Sequence, residues 1–314
     1  MTRATPIPET ITLHVPFRIV KRGGRKEMQL PEGASTQRRP DDALVLPAER
    51  LPLPGLALRG TEPVDLAALA TLDAEVALEA GELVLPQLPV LRAASARLLL
   101  AGGRLVLEEI RATLGGGALD GRLALDATAQ PPLLSGALRL AGAALSGPLF
   151  GTPFDITSGQ VEAQGRFTAS GHAPAAMLAT LDGDGRIGVA NGVLAGTALG
   201  AAAAAAANDD ASLAEEGVRK ALAGGATALD RLEGGWRAAR GVVTLDGGRI
   251  VAEGGATGAV EGSLDVARGA IDLRFLVQPG PAEAPPIGLR VTGPAETPRR
   301  QPEIAAWSRW RAER

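Results

Sequence analysis

The chain has 314 residues, a formal net charge of −3, 41 Gly, 23 Pro and no Cys or Tyr, and only 3% of it is aromatic. The missing cysteines exclude disulfides and thiolate chemistry, and the near-neutral charge sets up no global field toward nucleic acid or an anionic membrane. Frequent glycine between short Leu/Val runs predicts many short strands and turns rather than a core of aromatic anchors.

Residues 1–50 read as a basic arm and linker. "ITLHVPFRIV" alternates like a strand, "KRGGRK" is a basic turn, and "LPEGASTQRRPDD" is a polar, Pro-containing link. Arg18, Lys21, Arg22, Arg25, Lys26, Arg38 and Arg39 face only Glu27 and Glu32 in sequence. Such a patch can touch phosphates in a salt-sensitive, sequence-blind way, or it can simply be a solvated turn. The arm is too short to bury a core by itself. "MTRATPIPET" lacks the apolar core of a signal peptide, and no run of 18 apolar residues is present to span a membrane as a helix.

A β-rich domain is expected over 51–298. "RLLLAGGRLVLEEIRATLGGGALDGRLALDA" places Gly102-Gly103 and Gly115–Gly117 between apolar runs of strand length, which predicts an antiparallel meander. Residues 102–127 and 247–269 share Gly-Gly-Arg, an aliphatic pair, a Glu and a glycine turn, and they read as an internal repeat. In "RLVLEEI", simple alternation puts Leu105 and Leu107 on one face and Val106 and Ile110 on the other. In "IDLRFLV", Ile271, Leu273, Phe275 and Val277 share a face opposed by Asp272, Arg274 and also Leu276. Apolar groups on both faces imply that the second face is covered, by a helix or by lipid. Leu105, Leu107, Leu273 and Phe275 are the residues expected along one side of an apolar concave face.

Two helical segments interrupt the strands. "HAPAAMLATLDG" is short and ends at Gly183. "LGAAAAAAANDDASLAEEGVRKALAGGATALDRLEGG" is longer, with a break expected at Gly224-Gly225 and an alanine face suited to packing on a sheet. Residues 299–314 form an amphipathic tail helix after Pro302, with Ile304, Trp307 and Trp310 on one side. Trp beside Arg suits either a membrane interface or a lid over the sheet end.

Gly183, Gly185 and Gly188 spell G-x-G-x-x-G, the spacing of a dinucleotide loop. That loop needs a strand before the glycines and a helix on them. Here a short helix precedes them and "GRIGVANGVLAG" reads as strand, turn, strand. A calcium loop starting at Asp182 would need ligands where Arg186 and Val193 stand. His14 and His172 lack ligand spacing, and no G-x-S-x-G or Walker pattern occurs. No catalytic, cofactor-binding or metal-binding residue is assigned, and a non-enzymatic role without cofactor is expected.

From about Leu51 to Trp310 the chain resembles the C-terminal portion of the AsmA family of Gram-negative envelope proteins. Three stretches carry the likeness in order: the glycine-rich strand block 97–145, "GRFTASGHAPAAMLATLDGDGRIGVANGVLAGTALG", and the closing "GPAETPRRQPEIAAW". Residues 1–45 weakly resemble the start of short helix-turn-helix proteins found beside site-specific recombinases. The AsmA resemblance implies a mainly β fold, an elongated, open, groove-like antiparallel sheet with one or two short covering helices. It also implies phospholipid handling or transfer in outer-membrane biogenesis, with phospholipid acyl chains and the membrane as partners. The implied location is periplasmic or inner-membrane-associated; the lack of a signal peptide or spanning helix in the sequence leaves cytoplasmic retention open. Two alternatives stand beside this reading: a structural or protein-binding β-scaffold without lipid, and nucleic-acid contact through the arm.

Overall fold

The computed structural model describes residues 58–71, 73–84, 89–149, 152–280 and 282–313, and the backbone of five strands before them. Those five are β1 (Thr10–Thr12), β2 (Arg18–Arg22), β3 (Arg25–Gln29), β4 (Gln37–Arg38) and β5 (Leu44–Pro52). The glycines of the expected basic turn, residues 23–24, and His14 lie outside the described residues, as do the side chains of the arm.

Thirteen further strands make one open antiparallel sheet in sequence order. They are β6 (Ala74–Val84), β7 (Leu91–Ala101), β8 (Arg104–Leu114), β9 (Gly117–Asp126), β10 (Leu133–Leu145) and β11 (Ile156–Ser170). After these come β12 (Asp182–Ala195), β13 (Ala226–Ala239), β14 (Val242–Ala252), β15 (Thr257–Asp265), β16 (Ala270–Val277), β17 (Ile287–Pro294) and β18 (Arg299–Glu303). Strand β5 runs parallel to β6 at the far edge, with β4 antiparallel beyond it. Among the described residues four helices connect or follow the strands: α1 (Pro174–Ala179), α2 (Leu199–Ala206), α3 (Ala211–Leu222) and α4 (Ala305–Ala312).

The meander follows from its turns. Gly102-Gly103 and Gly115-Gly116 all have positive φ, between 53° and 80°, as two-residue hairpin turns require. The proposed repeat is less regular than the sequence implied. Gly102-Gly103 makes a turn, whereas Gly247-Gly248 sits inside β14 at a register shift. "GRIGVANGVLAG" is likewise one strand rather than two, because Asn191 takes up a positive φ of 50° within β12 instead of turning the chain.

The long helical segment breaks earlier than expected. It divides at Asn208–Asp210, where the Asp210 carboxylate accepts from the backbone N–H groups of Ser212 (2.8 Å) and Leu213 (3.0 Å) and so caps α3. Gly224-Gly225 then ends α3, and "ATALDRLEGGWRAA" is strand β13.

A further correction concerns the faces. Leu107 pairs with Leu123 and Ile110 with Gly121, so β8 carries one extra residue between them. Glu109, at φ 50°, is in that bulge. Ile110 therefore rejoins the face of Leu105 and Leu107. Two consecutive Glu residues in an otherwise alternating strand are the sequence trace of this device.

With the bulges placed, the faces separate by chemistry. One face carries ion pairs between neighbouring strands: Glu75 with Arg97, Arg104 with Asp126 (2.9 Å), Arg122 with Glu108 (3.3 Å), Arg166 with Asp184 (2.9 Å) and Arg290 with Asp272 (2.8 Å). The expectation that both faces are apolar is thus overturned. Val106, with Leu99 opposite it, and Leu276 are small aliphatic spots on a charged face, a normal surface feature.

The other face is apolar across the sheet, and its core sits beneath the helices. Helix α2 packs against β13, β16 and β17, with Leu199, Ala202 and Ala206 buried. Val218 and Leu222 of α3 and Trp307 of α4 are also buried, in one cluster with Ile250, Val277, Ile287, Leu289 and Val291. Each such aliphatic contributes ~1.5–3 kcal/mol relative to exposure. Arg311 fastens α4 to α2 by donating to Ala206 O (2.6 Å), Asn208 O and Asp209 O (3.0 Å).

The opposite end of the strands is tied by a strap, residues 58–71, whose last five residues form a 3-10 turn. Arg59 Nε donates to Val266 O (3.4 Å), Ala175 N to Gly60 O (3.0 Å) and Val64 N to His172 O (2.8 Å). Ala70 then lies against Gly103 in the β7–β8 turn. One short segment thus crosses from the β15–β16 turn to the β7–β8 turn.

Candidate functional site

The apolar face divides into a helix-covered part and an open part. The open part runs across the lower rows of β8–β16, the rows nearer the strap. Register places Leu105, Leu107, Leu123, Leu125, Leu138, Phe167, Trp236, Leu245, Ile271 and Leu273 on it. Leu138 is exposed at 36% and the others are half-buried, unlike the fully buried residues beneath α2–α4. From β8 to β13 the face spans five strand spacings, about 24 Å.

Its floor is made by glycines covered with aromatic and aliphatic groups. The Trp236 ring on β13 lies across Gly185 of β12 and Gly165 of β11: a Cβ built on Gly185 would stand 2.6 Å from Trp236 Cε2. Phe167 covers Gly136 in the same way, its Cε1 2.7 Å from the position of a Cβ there. Strand glycines often mark a close approach of this kind. The outcome is a smooth apolar surface with rings laid flat upon backbone.

The charged face has a different character. A trough of about 800 Å³ forms where Gly188 and Gly235 lack side chains, walled by Arg139, Arg186 and Arg237 and by Glu162, Glu233 and Asp246. Both signs alternate there, so no single-sign field is focused. Along this face Arg290 hydrogen-bonds and charge-pairs Asp272, holding its carboxyl below the usual carboxylate range. Asp126 is held low first by the Thr128 hydroxyl, with Arg104 adding to it. Both carboxylates are solvated and paired, the condition of a surface ladder rather than of a catalytic acid.

The residues expected along the concave face are only partly brought together. Leu105 and Leu107 lie on the open surface, and Leu273 is at its margin. Phe275 belongs to the covered core: it is 4% exposed and stacks on Phe154. Trp236 went unassigned from sequence; its signal was a lone Trp after Gly234-Gly235, just past the segment read as helical. Gly183 and Gly185 of the G-x-G-x-x-G spacing lie on the apolar face within β12, while Gly188 faces the charged trough. Asp184 pairs with Arg166, and Asp182 accepts from Arg240 N (3.2 Å). His172 is exposed in the loop before α1. Among the described residues no group of His, Asp or Glu could hold a metal ion, and no helix is long and apolar enough to cross a membrane.

No curated protein and no solved structure is significantly similar to the chain. The AsmA family model matches residues 56–247, more than half of the sequence, and it spans β6–β13 with the open part of the apolar face on them. A glycine-floored, one-sided apolar meander and that match agree: the chain belongs to the AsmA family.

Proposed function

We propose that the open apolar face holds the acyl chains of phospholipid and that the protein is a non-enzymatic lipid-handling module of the cell envelope. The observation that carries this reading is the half-buried aliphatic and aromatic surface across β8–β16, backed by a charged face and left uncovered by α2–α4. Each acyl CH₂ removed from water there gains about 0.8 kcal/mol, with no demand for catalytic groups. The family's envelope association supports a periplasmic or inner-membrane-associated location and a part in outer-membrane biogenesis.

The test is native mass spectrometry and lipid extraction on the full chain purified from a bacterial host. Co-purified phospholipid is expected for the wild type. It should be lost in Leu107→Asp and Leu138→Asp variants that keep the wild-type circular dichroism spectrum. A wild type that carries no lipid and takes up none when offered it would overturn the reading in favour of a lipid-free β-scaffold.

A further inference from the structure

Trp236 is the one chemical exception on the open face. In the rows that α2 and α3 leave uncovered, from β8 to β16, the other side chains facing this way are Leu, Ile, Val, Ala, Phe or absent at Gly. The indole Nε1 is thus the only side-chain nitrogen or oxygen that the described residues of strands β8–β16 present on that surface. It donates to no protein acceptor among them, and the residue is half-buried rather than turned out to solvent. Its position is set by Gly165 and Gly185, whose missing Cβ atoms make room for the ring.

We infer that Trp236 is a ligand-contacting residue whose indole N–H donates to an ester carbonyl of a lipid lying on the open face. This rests on the proposed acyl-chain site and narrows its ligand class. A partly desolvated indole N–H seeks an acceptor. A surface with one donor, no acceptor and no charge fits a molecule that brings one uncharged acceptor flanked by hydrocarbon. A free carboxylate or a phosphate would need a cation on this face. Along β8–β16 the charged side chains sit on the opposite face, and Arg300 of β18 is engaged with the Phe154 ring, Gly196 O and Ala223 O. An acyl ester meets the requirement: its carbonyl accepts the N–H while the chain runs over Leu138, Leu123 and Leu107, and the polar headgroup stays at the rim.

The experiment compares a short-chain diacyl phosphatidylcholine with its dialkyl ether counterpart, each titrated calorimetrically below its micellar concentration into the full chain. The two lipids differ by the carbonyl oxygens. The wild type is expected to bind the ester about fivefold more tightly, the worth of one neutral hydrogen bond. Trp236→Phe keeps a ring but lacks the donor, so it should bind both lipids equally, with the ether affinity near that of wild type. Equal binding of both lipids by the wild type overturns the Trp236 contact and leaves the acyl site standing. The same is true of an ester preference that persists in Trp236→Phe. If neither lipid binds, the acyl site fails and the contact fails with it. Should Trp236→Phe not fold, Trp236→Leu takes its place as the donorless variant, with the same loss of the ester preference expected and the same persistence overturning the contact.

Discussion

Phe154 and Phe275 stack with ring centroids 5.7 Å apart and planes inclined by 18°, joining the loop between β10 and β11 to the middle of β16. The Arg300 guanidinium lies 4.6 Å from the Phe154 ring centroid, and it donates to Gly196 O (2.9 Å) and Ala223 O (2.7 Å) at the two ends of the α2–α3 insertion. The helical cover is therefore anchored to strands distant in sequence.

Removing that anchor should loosen the cover. Phe275→Ala is expected to cost ~3–5 kcal/mol, the usual range for deleting a buried aromatic ring. Urea unfolding followed by circular dichroism measures it. A cost below 1 kcal/mol would mean that the stack carries little of the core.

The bulge at Glu109 sets which way Ile110, Ala112 and Leu114 point. Inserting one Ala after Glu109 should turn all three toward the charged face, because side chains alternate strictly along a strand. The expected outcome is gross destabilisation or aggregation, seen by size-exclusion chromatography. Glu109→Gly should instead be neutral or stabilising by up to ~1 kcal/mol, since glycine holds φ 50° without the Cβ penalty.

Gly185→Ala should displace both the neighbouring strand and the Trp236 ring, because the new methyl would fall against the backbone oxygen of Gln164 and 2.6 Å from Trp236 Cε2. Overpacking of this kind costs ~1–3 kcal/mol. Trp236 emission should shift as the indole moves. An unchanged spectrum with full stability would place the ring elsewhere.

The paired carboxylates give an acid-side pH dependence. Asp272, Asp126 and Asp265 are all held below the usual value, chiefly by hydrogen bonds from Arg290, Thr128 and Arg268 respectively. A carboxylate with a lowered folded pKa adds stability above its unfolded pKa of about 4, and that stability is lost as pH falls through the folded value. The urea midpoint should therefore drop below about pH 4. These groups are solvated, so the drop should shrink in high salt. Arg290→Gln should flatten the slope. A midpoint that rises on acidification would contradict the assignment.

Much of the architecture was legible along the chain. Glycine pairs between apolar runs marked the meander at 102–103 and 115–116, because a two-residue turn needs positive φ and its residue preference is local. The Ile304, Trp307 spacing likewise marked the last helix, but residues 299–303, expected within it, pair with β17 as strand β18, and the helix starts only at Ala305. The family likeness rested on the same local punctuation.

What sequence alone could not assign was facing and cover. A bulge residue such as Glu109 shifts every later side chain by half a period, and whether a strand bulges depends on the partner beside it. The long Ala-rich segment divides at Asn208–Asp210, where the Asp210 cap starts α3 and α3 folds back against α2. Phe275 and Leu107 look alike in their alternating strands, yet only the path of α2–α4 buries one and leaves the other on the open face. Trp236 gained its place from Gly165 and Gly185 on two neighbouring strands. Local chemistry thus determined strands and turns, while burial, a sum over contacts between distant segments, was decided by the tertiary structure.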